Sequence, residues 1–161
     1  EEAPYRIETG TLNHAALAGV KAAIEYIAGW GEGESLRDRV VSAMSGIAAY
    51  EHEVGRYYHD RVREIPGVRV WGPDFSDSAP GRRAPTISIT VQGVPAEAVA
   101  RHLGEQGIQV WDGNFYAVRA IETLGLSQSG GVLRTGIVLY NTREEVDRLL
   151  AGISEVASSR R

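Results

Sequence analysis

The residue whose type and setting most clearly invite chemistry is an arginine inside an apolar run. Arg134 interrupts Val132-Leu133-Arg134-Thr135-Gly136-Ile137-Val138-Leu139, and a charge there must face water, find a partner or bind an acidic ligand. The planar fork of a guanidinium suits a carboxylate; a solvated or salt-bridged side chain is the plainer alternative. Upstream, Trp111-Asp112-Gly113-Asn114-Phe115-Tyr116 gathers large aromatics, a carboxylate and a glycine at the end of a β-rich run, a combination that either lines a pocket or fills a turn. Near the start, Gly10-Thr11-Leu12-Asn13 precedes a helical pattern. Backbone N–H groups and a hydroxyl at that point offer an anion site at the positive end of a helix dipole, although Thr11 or Asn13 as a plain N-cap accounts for the same residues.

Other chemistries find less support. The histidines, His14, His52, His59 and His102, form no pair with each other or with a carboxylate at a spacing that defines a metal site. His52 and His59, two helical turns apart, read as surface or packing residues. There is no cysteine, which removes disulfides, thiolate metal sites and a cysteine nucleophile. No serine sits in a Gly-x-Ser-x-Gly elbow, and Gly130-Gly131 reads as a hairpin turn ahead of a strand rather than a phosphate loop.

These residues need elements to position them. Leu17, Val20, Ile24 and Ile27 recur at helical spacing between Asn13 and Trp30, which predicts a well-packed amphipathic helix ended by Gly29 and Gly31. After Gly31-Glu32-Gly33, Ser35 and Asp38 resemble a capping box. The series Leu36, Val40, Met44, Ile47, Tyr50, Val54, Tyr58, Val62 and Ile65 then predicts one long helix stopped by Pro66-Gly67. The remainder is β-rich at Val68–Trp71, Thr86–Val91, Ile108–Trp111 and Val132–Tyr140, with turn-forming segments at Pro73–Arg82 and Ser127–Gly131. A short helix opens at Pro95 and is capped by Gly107; a last one opens on a capping-box pattern at Asn141 and Glu144. The expected fold is α+β: a small antiparallel sheet covered by helices, preceded by a long helix.

Composition limits the partners. A net charge of −4 and a pI near 5.6 leave no basic footprint for nucleic acid or an anionic membrane. No apolar run approaches a membrane span, and the opening Glu1-Glu2-Ala3-Pro4 lacks the basic start and apolar core of a signal peptide. A cytoplasmic location is the expectation. The acidic start without methionine fits a processed product or a piece of something longer.

Two motifs far apart carry a resemblance. Arg6-Ile7-Glu8-Thr9-Gly10-Thr11, followed by the two helices, and Leu133-Arg134-Thr135-Gly136-Ile137-Val138-Leu139-Tyr140-Asn141-Thr142-Arg143-Glu144-Glu145-Val146-Asp147 resemble the carboxy-terminal portion of class V aminotransferase-type enzymes, nearest to the cysteine desulfurase and selenocysteine lyase group. The resemblance implies a small domain of a fold-type I pyridoxal-phosphate enzyme. Residues 1–32 would be a dimer- and cofactor-facing segment with the first helix, and residues 33–161 the linking helix plus small domain. It implies that Gly10 and Thr11 contact the cofactor phosphate of the partner subunit in a homodimer. Arg134 would bind the substrate carboxylate, with Trp111, Asn114 and Tyr116 around it. The group's Arg-Thr-Gly is replaced by Trp111-Asp112-Gly113 and its catalytic cysteine by Tyr116.

The group's Schiff-base lysine, pyridinium-pairing aspartate and ring-stacking histidine lie upstream of the matched region. The only lysine, Lys21, sits in the first helix four residues before Glu25 and reads as a surface residue. Pyridoxal phosphate is therefore expected in a longer parent enzyme and not covalently on this chain, which carries no catalytic residue of its own. For the parent the resemblance implies carbon–sulfur or carbon–selenium cleavage on an α-amino acid. Transamination or epimerisation within the same class stays open, as does a non-enzymatic module that dimerises or binds a small acidic ligand.

Overall fold

The structure is a computed structural model that describes residues 2–75 and 79–159. It divides into two compact units, residues 1–47 and 48–161, and the division falls inside the long helix. Residues 76–78 of the turn-forming segment after Pro73 lie outside the described residues.

In the first unit, α1 spans His14–Ala28 and its N-cap is Asn13, whose side chain accepts from the Ala16 N–H at 3.0 Å. The following helix, α2, spans Leu36–Val62, 27 residues or about 40 Å at 1.5 Å per residue. Ser35 and Asp38 form the expected reciprocal cap: the Ser35 hydroxyl accepts from the Asp38 N–H while the Asp38 carboxylate accepts from the Ser35 hydroxyl and N–H. Those bonds, the hydroxyl first, hold the Asp38 carboxyl below its ordinary value. The prediction that α1 is well packed is corrected. Leu17, Val20 and Ile24 are exposed and only Ala28 is buried, because periodicity marks a face for burial while burial itself needs an opposing layer.

The second unit is built on a four-stranded antiparallel sheet of β1 (Val68–Trp71), β2 (Thr86–Val91), β3 (Trp111–Gly113) and β4 (Val132–Gly136), in the order β1-β2-β4-β3. One face carries Ile87, Ile89, Val91, Leu133 and Thr135, all buried. It packs with Val54, Tyr58 and Val62 of α2, Val99 and Leu103 of α3 (Ala96–Glu105), and Val146, Leu149 and Ile153 of α5 (Arg143–Ser158). The i, i+4, i+8 spacing of Val54, Tyr58 and Val62 is the stripe that commits this part of α2 to the sheet. A short helix, α4 (Val118–Thr123), and a 3-10 turn at Ser127–Ser129 connect β3 to β4.

Several boundaries move from their sequence expectation. The third strand begins where it was expected to end, at Trp111, because a complete Schellman closure on Gly107 turns the preceding residues out of pairing. Gly107 has φ +75°, its N–H reaches the Gly104 carbonyl, and the Ile108 N–H reaches that of Leu103. The fourth strand stops at Gly136, since β2 ends its pairing at Thr86. Pro95 is the N-cap of α3 rather than its first residue. The capping box of α5 belongs to Thr142 and Glu145, one residue later than expected, and Asn141 instead accepts from the Val138 N–H. Gly130 and Gly131 close the 3-10 turn and not a hairpin, because α4 intervenes between the paired strands.

Gly131 is held to glycine twice over. Its φ is +92°, and a Cβ there would run into the Gly113 carbonyl and lie 3.1 Å from the Asn114 nitrogen. Gly131→Ala is expected to destabilise the protein by about 1–3 kcal/mol, read as a lower midpoint in thermal denaturation. An unchanged midpoint would show that the two backbones do not approach here.

Candidate functional site

The sheet face turned away from the core carries the candidate site. Register places Trp71 opposite Ser88, Ser88 opposite Arg134, and Arg134 opposite Trp111, one row of side chains crossing all four strands. Alternation explains why an arginine can stand in an apolar run: Leu133 and Thr135 point into the core, and Arg134 between them points out. Behind it, the Thr135 hydroxyl donates to the Ile87 carbonyl at 3.1 Å. The fully buried Tyr58 faces Thr135, and burial pushes its phenol above the ordinary value.

Arg134 has no ion pair among the described residues. Its guanidinium carbon lies 3.9 Å from the centroid of the Phe115 ring. A guanidinium stacked in this way uses its face and leaves the N–H donors at its edge free for a bidentate acceptor. Phe115 reaches it from a tight turn in which the Ala117 N–H donates to the Asn114 carbonyl at 2.8 Å and the Tyr116 N–H to the Asn114 side chain at 3.0 Å. Phe115 and Tyr116 have φ of +54° and +62°, the pattern of a turn that normally takes glycine, asparagine or aspartate at both positions. Two consecutive aromatics there store backbone strain. The surroundings hold it: Phe115 packs on the cluster of Ile121, Leu126 and Val132, while Gly125 at φ +71° folds Leu126 back onto Ile121.

Trp111 and Arg134 stand between two hollows. The larger, about 780 Å³, lies over the 112–116 turn and includes Asn114, Tyr116, Val118, Asp112 and Glu122 in its wall. The smaller, about 540 Å³, lies over Thr86 and Gly136. Four of the expected residues, Trp111, Asn114, Tyr116 and Arg134, therefore meet at one cleft. Gly10 and Thr11 belong to the other unit. They are exposed just ahead of α1, and no described residue hydrogen-bonds their N–H groups or the Thr11 hydroxyl. Because Asn13 performs the capping, Thr11 is left over from that task.

Phe115 is the site residue that the sequence reading quoted but did not choose, and its presence in the same six-residue run was the available signal. A second cluster, His59, Asp60 and Asp74, brings ligand atoms within 4.8 Å of one another. Asp74 there is bridged to Arg63, and Phe75 lies between His52 and His59 with ring centroids 5.6 and 5.4 Å away. Burial lowers the Arg83 guanidinium, with Asp74 opposing, and Arg83 stacks on Phe75. We read this group as the clamp that fastens the segment after β1 onto α2.

Residues 1–149 match the family model described as Aminotransferase class-V. The chain belongs to the class-V aminotransferase family. Within that family it is cysteine desulfurase-like. It is 32% identical over 156 residues to a cysteine desulfurase of Synechococcus elongatus, covering 97% of this chain and 22% of that protein. It is also 32% identical over 155 residues to an uncharacterized protein of Mycobacterium tuberculosis, covering 95% and 37%. Among solved structures, an apo cysteine desulfurase from Thermococcus onnurineus superposes with a TM-score of 0.76 at 26% identity, covering 98% of this chain and 34% of that one. The chain thus spans between about a fifth and two fifths of the length of these family members. No described helix is long and apolar enough to cross a membrane.

The strain in the 114–117 turn gives a direct test. The Tyr116 side chain is fully exposed, so its loss forfeits no burial, whereas glycine removes the cost of a left-handed φ. Tyr116→Gly is expected to raise stability by about 0.5–1 kcal/mol, a melting midpoint higher by about 1–4 °C. A lower midpoint would mean that the turn is not strained.

Proposed function

We propose that this chain is the carboxy-terminal portion of a pyridoxal-phosphate enzyme acting on an α-amino acid, and that Arg134 receives the substrate carboxylate. The observation that carries the proposal is a cation with no ion pair among the described residues, turned into a cleft and stacked on Phe115 so that its donor edge stays open. In this reading Phe115 fixes the plane of the fork, Trp111 walls one side of the bound carboxylate, and Asn114 and Tyr116 line the approach.

The first unit fits the phosphate end of the cofactor. Gly10 and Thr11 offer uncommitted donors at the start of a 15-residue helix, whose dipole favours an anion, and the phosphate would be that of the partner subunit in a homodimer. Residues 1–32 would then serve the dimer and cofactor, and residues 33–161 would form the linking helix and small domain. Lys21 does not fit covalent attachment: its side chain is exposed and lies 3.7 Å from Glu25. Bound pyridoxal phosphate supplies an electron sink for charge developing at the substrate α-carbon; this chain contributes the grip on the carboxylate.

Carbon–sulfur cleavage is what the desulfurase relatives' names point to. A sulfur acceptor on this chain is excluded by the absence of cysteine, and Tyr116 cannot form a persulfide. That observation favours a second reading: transamination, epimerisation or an elimination that needs no protein thiol.

The test uses the enzyme that contains this chain. Arg134→Ala should raise KM for the amino acid about 30-fold or more, as loss of a charge-assisted bidentate pair requires, with kcat changed much less. Arg134→Lys should recover part of the loss by restoring charge without the fork. Unchanged KM in Arg134→Ala would reject the assignment.

A further inference from the structure

We infer that the Arg134 cleft takes an α-amino acid whose side chain carries an aromatic ring, in preference to a small one such as cysteine or alanine. This rests on the reading that Arg134 binds the substrate carboxylate, and it names the substrate class of that site.

Large apolar side chains surround the cation. Trp111, its direct cross-strand neighbour, is 69% exposed; Tyr116 is fully exposed and Val118 half exposed. All three line the same cleft as Arg134 and Phe115. Large apolar side chains scattered over a surface need no explanation, but several gathered around one unpaired cation form a mixed surface that a ligand of matching character would cover. A ring on the ligand removes apolar area on both sides and meets aromatic faces in stacked or edge-on contact. A methyl or thiol group reaches little of this surface.

The turn adds a second, independent reason. Filling two successive left-handed positions with Phe115 and Tyr116 costs stability, and Tyr116 gains no burial in return. Glycine or asparagine would make the same turn without the cost. The strain instead presents two aromatic side chains at the mouth of a cleft whose volume, about 780 Å³, is in the range of pockets for ligands far larger than alanine. The remaining acidic side chain on this side of the wall, Glu122, disfavours a second carboxylate, so a dicarboxylic amino acid is a poor occupant.

The experiment titrates the isotopically labelled enzyme that contains this chain with L-phenylalanine, L-alanine, L-cysteine, L-aspartate and 2-phenylethylamine. It follows the Trp111 indole N–H and the Arg134 side-chain N–H resonances. L-phenylalanine should saturate the shifts at a concentration at least about tenfold lower than L-alanine or L-cysteine, with L-aspartate weakest of the amino acids. Arg134→Ala, at an exposed position where the fold survives, should abolish the response to all of them. Equal saturation by L-phenylalanine and L-alanine overturns the aromatic preference and leaves the carboxylate reading standing. Equal saturation by L-phenylalanine and 2-phenylethylamine, which lacks the carboxylate, overturns the carboxylate reading. No saturable shift with any ligand overturns both.

Discussion

A positive charge with no ion pair among the described residues has to be held still by something other than a carboxylate, and in this protein the holder is an aromatic ring. The stack of Arg134 on Phe115 makes demands on everything around it. Phe115 must arrive from above the sheet, which requires the left-handed turn at Phe115 and Tyr116. That turn must be pinned, which the cluster of Ile121, Leu126 and Val132 does. Gly131 must let the β3 end approach β4 closely enough for Trp111 to stand opposite Arg134. Had an aspartate taken the place of Phe115, the arginine would be neutralised and its donor edge occupied.

The sheet supplies rigidity from the other side. A guanidinium held in one orientation needs a backbone that does not slide, and a one-residue slip of β4 would turn Arg134 into the core. Register is secured by Ile87 and Leu133 in the core and by the Thr135 hydroxyl on the Ile87 carbonyl. Tyr58 of α2 closes over that position. The long helix therefore contributes to the site without touching it.

Much of this was legible in the sequence, for identifiable reasons. Arg134 stood out because alternation in a strand cannot bury a charge between two apolar neighbours without turning it outward. Trp111, Asn114 and Tyr116 stood together as one run in the sequence and line one hollow in the structure. The local cap of Ser35 with Asp38 was read correctly, whereas the capping box of α5 was placed one residue early. What escaped depends on contacts between distant segments. The pairing of Phe115 with Arg134 needs the turn and α4 to fold over the sheet. The grouping of His59 with Asp74 needs the segment after β1 to dock on α2. The end of β4 was misplaced because the apolar run continues to Tyr140 while its pairing partner does not. In α1 the apolar stripe was real and its burial was not, because a stripe records what a helix could pack against and not whether the partner is present in the same chain.

Family membership and site geometry bear on function in different ways. The class-V match places the chain in that family, but it does so equally for the parts that depart from the desulfurase pattern. The cleft carries the departures: Trp111 and Tyr116 stand where that resemblance puts an arginine and a cysteine, and no cysteine is available elsewhere in the chain. The most direct test of the account is the side-chain Nε–H proton of Arg134, followed by nuclear magnetic resonance. Held against the face of Phe115, it should resonate upfield of a free arginine and return to the free position in Phe115→Leu. An Arg134 resonance at the free position in the unaltered protein would contradict the stack on which the site is built.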